Sequence, residues 1–193
     1  FIWFNQKFSK FSLSFLALNN GYQYENLVEN KFQVAYLQTI GTYGKWDASK
    51  FYGDFGLYAQ TGEAAVTNDK VAVGAYYAGF NLGYKFTNPF KAELGFEYLS
   101  GKDQNDTDTK VKSFTPLFGT NHGFNGLMDY FYVGNHKNSV GLQDVYTKFI
   151  YDKNKWQVML APHLFYSAAS VYNMATLEEQ DSYLGTEIDL TAT

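Results

Sequence analysis

Apolar and polar residues alternate with a period of two along most of the chain, the spacing of β-strands with one apolar and one polar face. The alternation predicts strands over residues 1–8, 11–19, 31–43, 51–61, 71–86, 90–101, 139–151, 155–168 and 182–193. The sixth is the most regular: Phe90, Ala92, Leu94, Phe96 and Tyr98 point one way, and Lys91, Glu93, Gly95 and Glu97 the other. In the second, Phe11, Leu13, Phe15 and Ala17 share a face; in the fifth, Phe80, Leu82, Tyr84 and Phe86 oppose Asn81, Gly83 and Lys85.

The predicted connections alternate short and long. Residues 9–10, 45–50, 87–89 and 152–155 are short turns, whereas 19–30, 62–70, 102–138 and 169–181 read as long polar loops. Antiparallel neighbours joined this way place the short turns at one end and the long loops at the other, as in up-and-down barrels of outer membranes. Phe8, Phe11, Trp46, Phe51, Phe86, Phe90, Tyr151 and Trp156 flank the short turns, where an interfacial aromatic belt would sit. Tyr58, Tyr98, Tyr166 and Tyr183 are the candidates for the opposite belt. A soluble barrel of the lipocalin kind also alternates. The strand lengths favour the membrane, because a tilted strand needs ~9–11 residues to cross hydrocarbon.

Composition sharpens this picture. Aromatic residues make up 20% of the 193, while the mean hydropathy is only -0.32. That combination fits strands with one greasy face, and no run approaches the ~20 apolar residues of a membrane helix. Cysteine is absent, which excludes disulfides and thiolate metal sites. The net charge of -4 gives no basic face for nucleic acid. All 15 cations are lysines, so the chain has no arginine clamp for phosphate or carboxylate. The chain opens and closes in strand-like segments. The expectation is therefore a piece of a longer chain, about nine strands of a larger barrel, with residues 1–193 belonging to one outer-membrane β-barrel domain.

The predicted inward face carries Asp54, Lys85, Lys91, Glu93, Glu97, Asp144, Lys148, His163, Glu187 and Asp189 as candidate pore-lining residues. Such charges can also pair across strands and hold the wall together. Residues 103–109 group Asp103, Asn105, Asp106 and Asp108, a weak candidate for calcium because the EF-hand glycine and terminal glutamate are missing. No other metal and no cofactor is expected. His122 and Asp129, with Ser113 or Thr120, invite a catalytic reading. Nothing like a nucleophile elbow accompanies them, so no enzyme is expected.

The segment 102–138 is apolar for a loop. Together with the preceding EYLSGKD, its run FTPLFGTNHGFNGLMDYFYVGN resembles the alginate-export family of outer-membrane barrels. Phe114, Pro116, Leu117, Phe118, Thr120, Asn121, His122, Phe124, Gly126, Met128 and Asp129 fill the family's motif, which covers about 30 residues. The resemblance implies a monomeric barrel in the bacterial outer membrane, surrounded by lipid and lipopolysaccharide, that passes polysaccharide, oligosaccharide or small polar solutes passively. The family's arginine-rich basic lumen is not matched here, which separates the expected fold from the expected solute. Phe114, Pro116, Phe118, Asn121, His122, Phe124, Met128 and Asp129 are expected to form an extracellular loop folded inward as a constriction or lid, or else packed on the rim. A non-conducting barrel serving other envelope proteins as a structural or assembly partner is the alternative.

Overall fold

The computed structural model describes residues 1–118 and 124–193, and it is all-β. Nine strands, β1 (Ile2–Lys7), β2 (Phe11–Asn26), β3 (Lys31–Ala48), β4 (Phe51–Val66), β5 (Asp69–Thr87), β6 (Phe90–Leu99), β7 (Leu142–Lys153), β8 (Trp156–Tyr166) and β9 (Tyr183–Ala192), form one sheet. Each strand pairs antiparallel with its sequence neighbours, in the order β1 to β9. The described residues contain no α-helix, only a 3-10 turn at Val133–Asn135.

Two of the four expected long loops are corrected. Strands β2 and β3 run on as a paired ladder to a turn at residues 27–30, and β4 and β5 to a turn at Thr67 and Asn68. In both extensions polar residues stand on both faces, so alternation fades although backbone pairing continues. Only the segments 100–141 and 167–182 are long, and both lie at the end away from the short turns. Ser49, Asn68 and Asn154 hold φ of 61°, 65° and 59° in the tight turns. Asparagine tolerates this left-handed region better than most residues.

Cross-strand partners show the two faces. One row runs Lys45, Asp54, Asn81, Gly95, Tyr146, His163, Glu187, each opposite the next on successive strands β3 to β9. This face is concave. A single cavity of about 570 Å³ touches side chains of six consecutive strands, β2 to β7. Tyr52 on β4 reaches Glu93 on β6 at 2.9 Å, and Tyr146 on β7 reaches Asn81 on β5 at 2.6 Å, each across an intervening strand.

The opposite face is apolar and open. Phe32, Tyr36, Leu57, Leu94, Phe149 and Leu190 on it are 50% to 71% exposed. Aromatics band its short-turn end: Phe8 lies 6.2 Å from Phe11, Phe51 4.9 Å from Tyr84, and Phe90 5.3 Å from Tyr151. A second band at the other end includes Tyr76 with Tyr98 at 5.5 Å and Tyr166 with Tyr183 at 5.6 Å. Tyr58 does not belong to it. Paired with Gly41 and Tyr77, it points into the concave side, and Tyr36 and Tyr76 stand on the outer face instead.

The chain's apolar core sits on the concave side near the long-loop end. Leu37, Val73, Leu99, Leu142 and Phe165 from five strands enclose Val111 and Phe114 of the 100–141 segment. Burying a side chain such as Phe114 contributes ~1.5–3 kcal/mol, which explains why so apolar a segment leaves the surface.

Candidate functional site

The candidate site is the concave face together with the segment folded over it. Its first anchor is Gln60, 3% exposed on β4. Its amide nitrogen donates to the Thr115 carbonyl at 2.8 Å and its oxygen accepts from the Thr115 amide at 3.0 Å. This two-way bond fixes the segment well beyond the end of β6 at Leu99. Phe114 packs against Tyr77 at 5.7 Å, and Phe131 against Phe165 at 4.6 Å.

A second anchor lies on the far side. The Leu127 amide donates to Asp189 Oδ2 at 3.1 Å, and the Met128 amide donates to Glu187 Oε1 at 2.7 Å. Gly126 comes so close to Glu187 that a Cβ there would stand 2.5 Å from the carboxylate. Gly126 holds φ of 85°, so a side chain would also be strained. The segment therefore spans the concave face from β4 to β9.

The wall beneath is polar and mutually paired. His163 Nδ1 lies 2.9 Å from both Asp144 oxygens, and its Nε2 lies 3.7 Å from Asp189. Asp144 is fully buried and His163 nearly so. Glu97 stands directly opposite Asp144 and accepts from the Tyr77 hydroxyl at 3.2 Å. Lys148 lies opposite Glu93 and places its ammonium 4.8 Å from the Tyr146 ring centre. Lys85 and Lys91 are opposite one another but each has an acid, Asp47 at 2.7 Å and Asp152 at 2.8 Å. Asp54 accepts from Asn81 at 3.2 Å.

All ten charged or imidazole residues singled out in the sequence thus share the concave face. Of the segment's candidates, Phe114, Pro116 and Phe124 line the cavity. Phe118 is 82% exposed and Met128 73%, so their side chains point away although the Met128 backbone is held. Asp129 is half-buried beside them. Asn121 and His122, with Thr120, lie outside the described residues. Ser113 is buried against the wall, away from solvent.

The acidic run does not converge. Asp103 caps the 167–182 segment by accepting from the Ser170 amide at 2.7 Å. Asp106 and Asp108 turn instead to Lys112, at 2.6 and 3.4 Å. The Lys112 hydrogen bond holds the Asp106 carboxyl below its usual range, and the Lys110 amide does the same for Asp108. Among the described residues no group of three His, Asp or Glu has the geometry to hold a metal. His136 is buried, 3.3 Å from the Asn125 side chain, and burial lowers its pKa.

Gln60, Asn81 and Asn125 are site residues that the sequence pattern did not single out. Gln60 and Asn81 sit at inward positions of their strands, a signal available from alternation alone; Asn125 has no local signal. No protein-family model matches the chain, and no curated protein matches it.

Proposed function

We propose that this chain forms part of an outer-membrane β-barrel channel, its exposed apolar face toward lipid and lipopolysaccharide and its concave face along an aqueous path for oligosaccharides or small polar solutes. The observation that carries the reading is the pair of aromatic bands on the apolar face. Tyr76 and Tyr84 are eight residues apart on β5, and Phe90 and Tyr98 eight apart on β6. At about 3.3 Å per residue and a tilt near 40°, that spacing corresponds to ~20 Å along the membrane normal, close to the ~25 Å height of a barrel's apolar band. The free edges of β1 and β9 cannot face lipid unpaired, so further strands complete the barrel. The paired β2–β3 and β4–β5 extensions rise past the bands into solvent.

Transport of this kind needs no bond chemistry and no cofactor; the charged wall tunes which solute passes. The resemblance of residues 97–135 to alginate exporters agrees with a channel, while the arginine-free, acid-rich concave face favours a solute other than a polyuronate. The test is single-channel conductance of the full-length protein in a planar bilayer, with neutral and anionic oligosaccharides added. Steady openings blocked by one sugar class support the reading, and a protein that inserts but never conducts refutes it. A plugged scaffold that docks other envelope proteins is the second reading, favoured by one observation: Thr115 and Met128 are hydrogen-bonded to opposite sides of the concave face.

A further inference from the structure

The cavity between the inward segment and the wall has a lining chemistry that selects a ligand. At about 570 Å³ it falls within the ~300–1,000 Å³ of small-molecule sites. Six aromatic rings, Tyr43, Tyr58, Tyr77, Tyr146, Phe114 and Phe124, line it from both wall and segment. Flat rings on several sides suit a ligand with apolar faces of its own, and four of them also bring hydroxyls.

The charged groups in the described lining are mostly acids. Asp54 and Glu97 each give one oxygen to the wall, through Asn81 and Tyr77, and the other oxygen of each is available to a donor. Asn125, which also lines the cavity, is only 4% exposed. Its nitrogen donates to the Phe131 carbonyl at 3.3 Å, but its Oδ1 has no hydrogen-bond partner among the described residues. That oxygen is sealed from solvent and from the cavity alike, so Asn125 contributes to the lining through its other atoms. Among the described residues, Lys148 is the single cation in the lining, against two carboxylates. An anionic ligand would meet net repulsion, and a ligand without donors would leave both carboxylates unmatched.

We propose that this cavity is a binding site for an uncharged saccharide of one or two rings, stacked by its C–H faces on the tyrosines and donating hydroxyls to Asp54 and Glu97. The site deepens the channel reading and rests on it for the route by which sugar arrives. It also makes the inward segment a selectivity element, because Phe114, Phe124 and Asn125 belong to it.

The test is isothermal titration calorimetry on the full-length protein refolded in detergent, with cellobiose and maltose as neutral probes and digalacturonate as a charged probe of the same size. Saturable binding of a neutral disaccharide, with digalacturonate at least about tenfold weaker, is the expected result. Tyr58→Leu should weaken neutral binding by about tenfold, and Leu94→Ala on the apolar face should not. Glu97→Gln, which keeps an acceptor oxygen but removes the charge, should weaken neutral binding less than Tyr58→Leu and narrow the discrimination against digalacturonate, and its folded state is checked by circular dichroism. Binding of neither neutral sugar, or equal binding of the uronate, overturns the site. Bilayer conductance separates the two claims. A protein that conducts but binds no neutral disaccharide refutes the site alone; one that binds but never conducts refutes the channel alone.

Discussion

The backbone amide of Met128 donates to Glu187 Oε1 across 2.7 Å, with Leu127 donating to Asp189 two residues further along β9. A hydrogen bond to a charged acceptor contributes about 1.5–3 kcal/mol, and removing the acceptors leaves both amides orphaned. The double variant Glu187→Ala, Asp189→Ala is expected to release the segment, raising single-channel conductance and speeding protease cleavage between 100 and 141. Glu187→Gln, which keeps an acceptor oxygen, should change both less. Unaltered conductance and cleavage in the double variant would mean that the segment is held elsewhere.

Gln60 satisfies both backbone groups of Thr115 at once. Gln60→Leu has similar volume but no donor or acceptor, so it strands a buried N–H and C=O. The expected loss is about 2–4 kcal/mol from two bonds at ~1–2 kcal/mol each, read as a lower urea midpoint for the folded protein. A midpoint equal to that of the native protein would show that water replaces the glutamine.

Leu94 lies midway between Phe90 and Tyr98 on the apolar face. If that face meets lipid, Leu94→Lys stands at the bilayer midplane and costs about 2–4 kcal/mol of folding into vesicles. The same change on a water-facing sheet would be close to neutral, since Leu94 is already 54% exposed. Equal folding yields of the two proteins in lipid vesicles would remove the membrane from the reading.

His136 offers a pH test of the segment. Its pKa is lowered from the ordinary 6.5 because the docked state buries the ring. Above that value the imidazole is neutral whether docked or not, and its packing contributes fully. As the pH falls through 6.5, the undocked state takes up a proton first, so docking weakens until the lowered native value is reached and then levels. Cleavage of the segment by protease should therefore quicken as the pH falls through 6.5 and level off once the lowered native value is passed, and His136→Gln should flatten that part of the profile. Asp106 acts in a separate window. Its pKa is held below 3.8, so the contribution of its pair with Lys112 is present above that value and lost as pH falls through the lowered one.

Alternation was enough to place strands and faces wherever one face is apolar. The row from Asp54 to Glu187 follows from parity within each strand, because a side-chain period of two leaves no other choice once the apolar set points outward. It failed where both faces are polar. Asn19, Gln23 and Glu25 look like loop residues, yet their backbones stay in register with β3 as far as Asn26. It also misjudged Tyr58, whose amphipathic ring suits an interface as well as a cavity. The crowd of aromatics in the 100–141 segment called for a packing surface, but left open whether that surface was the concave face or the rim. The segment's anchors were not legible: Thr115 to Gln60 and Met128 to Glu187 join residues 55 and 59 positions apart, and such pairs leave no local signature.

Several tyrosines on the concave side lie flat over glycines of the neighbouring strand. A Cβ on Gly95 would come within 2.1 Å of the Tyr146 ring, and one on Gly41 within 2.1 Å of Tyr58. The glycines act as recesses, so each phenol projects by the thickness of its ring and not by its length. Calibre along this wall is therefore set by the smallest residues. A single added methyl at Gly95 would tip Tyr146 upright, breaking its bond to Asn81 and narrowing the clearance above Asp54, with no charge altered and no strand displaced.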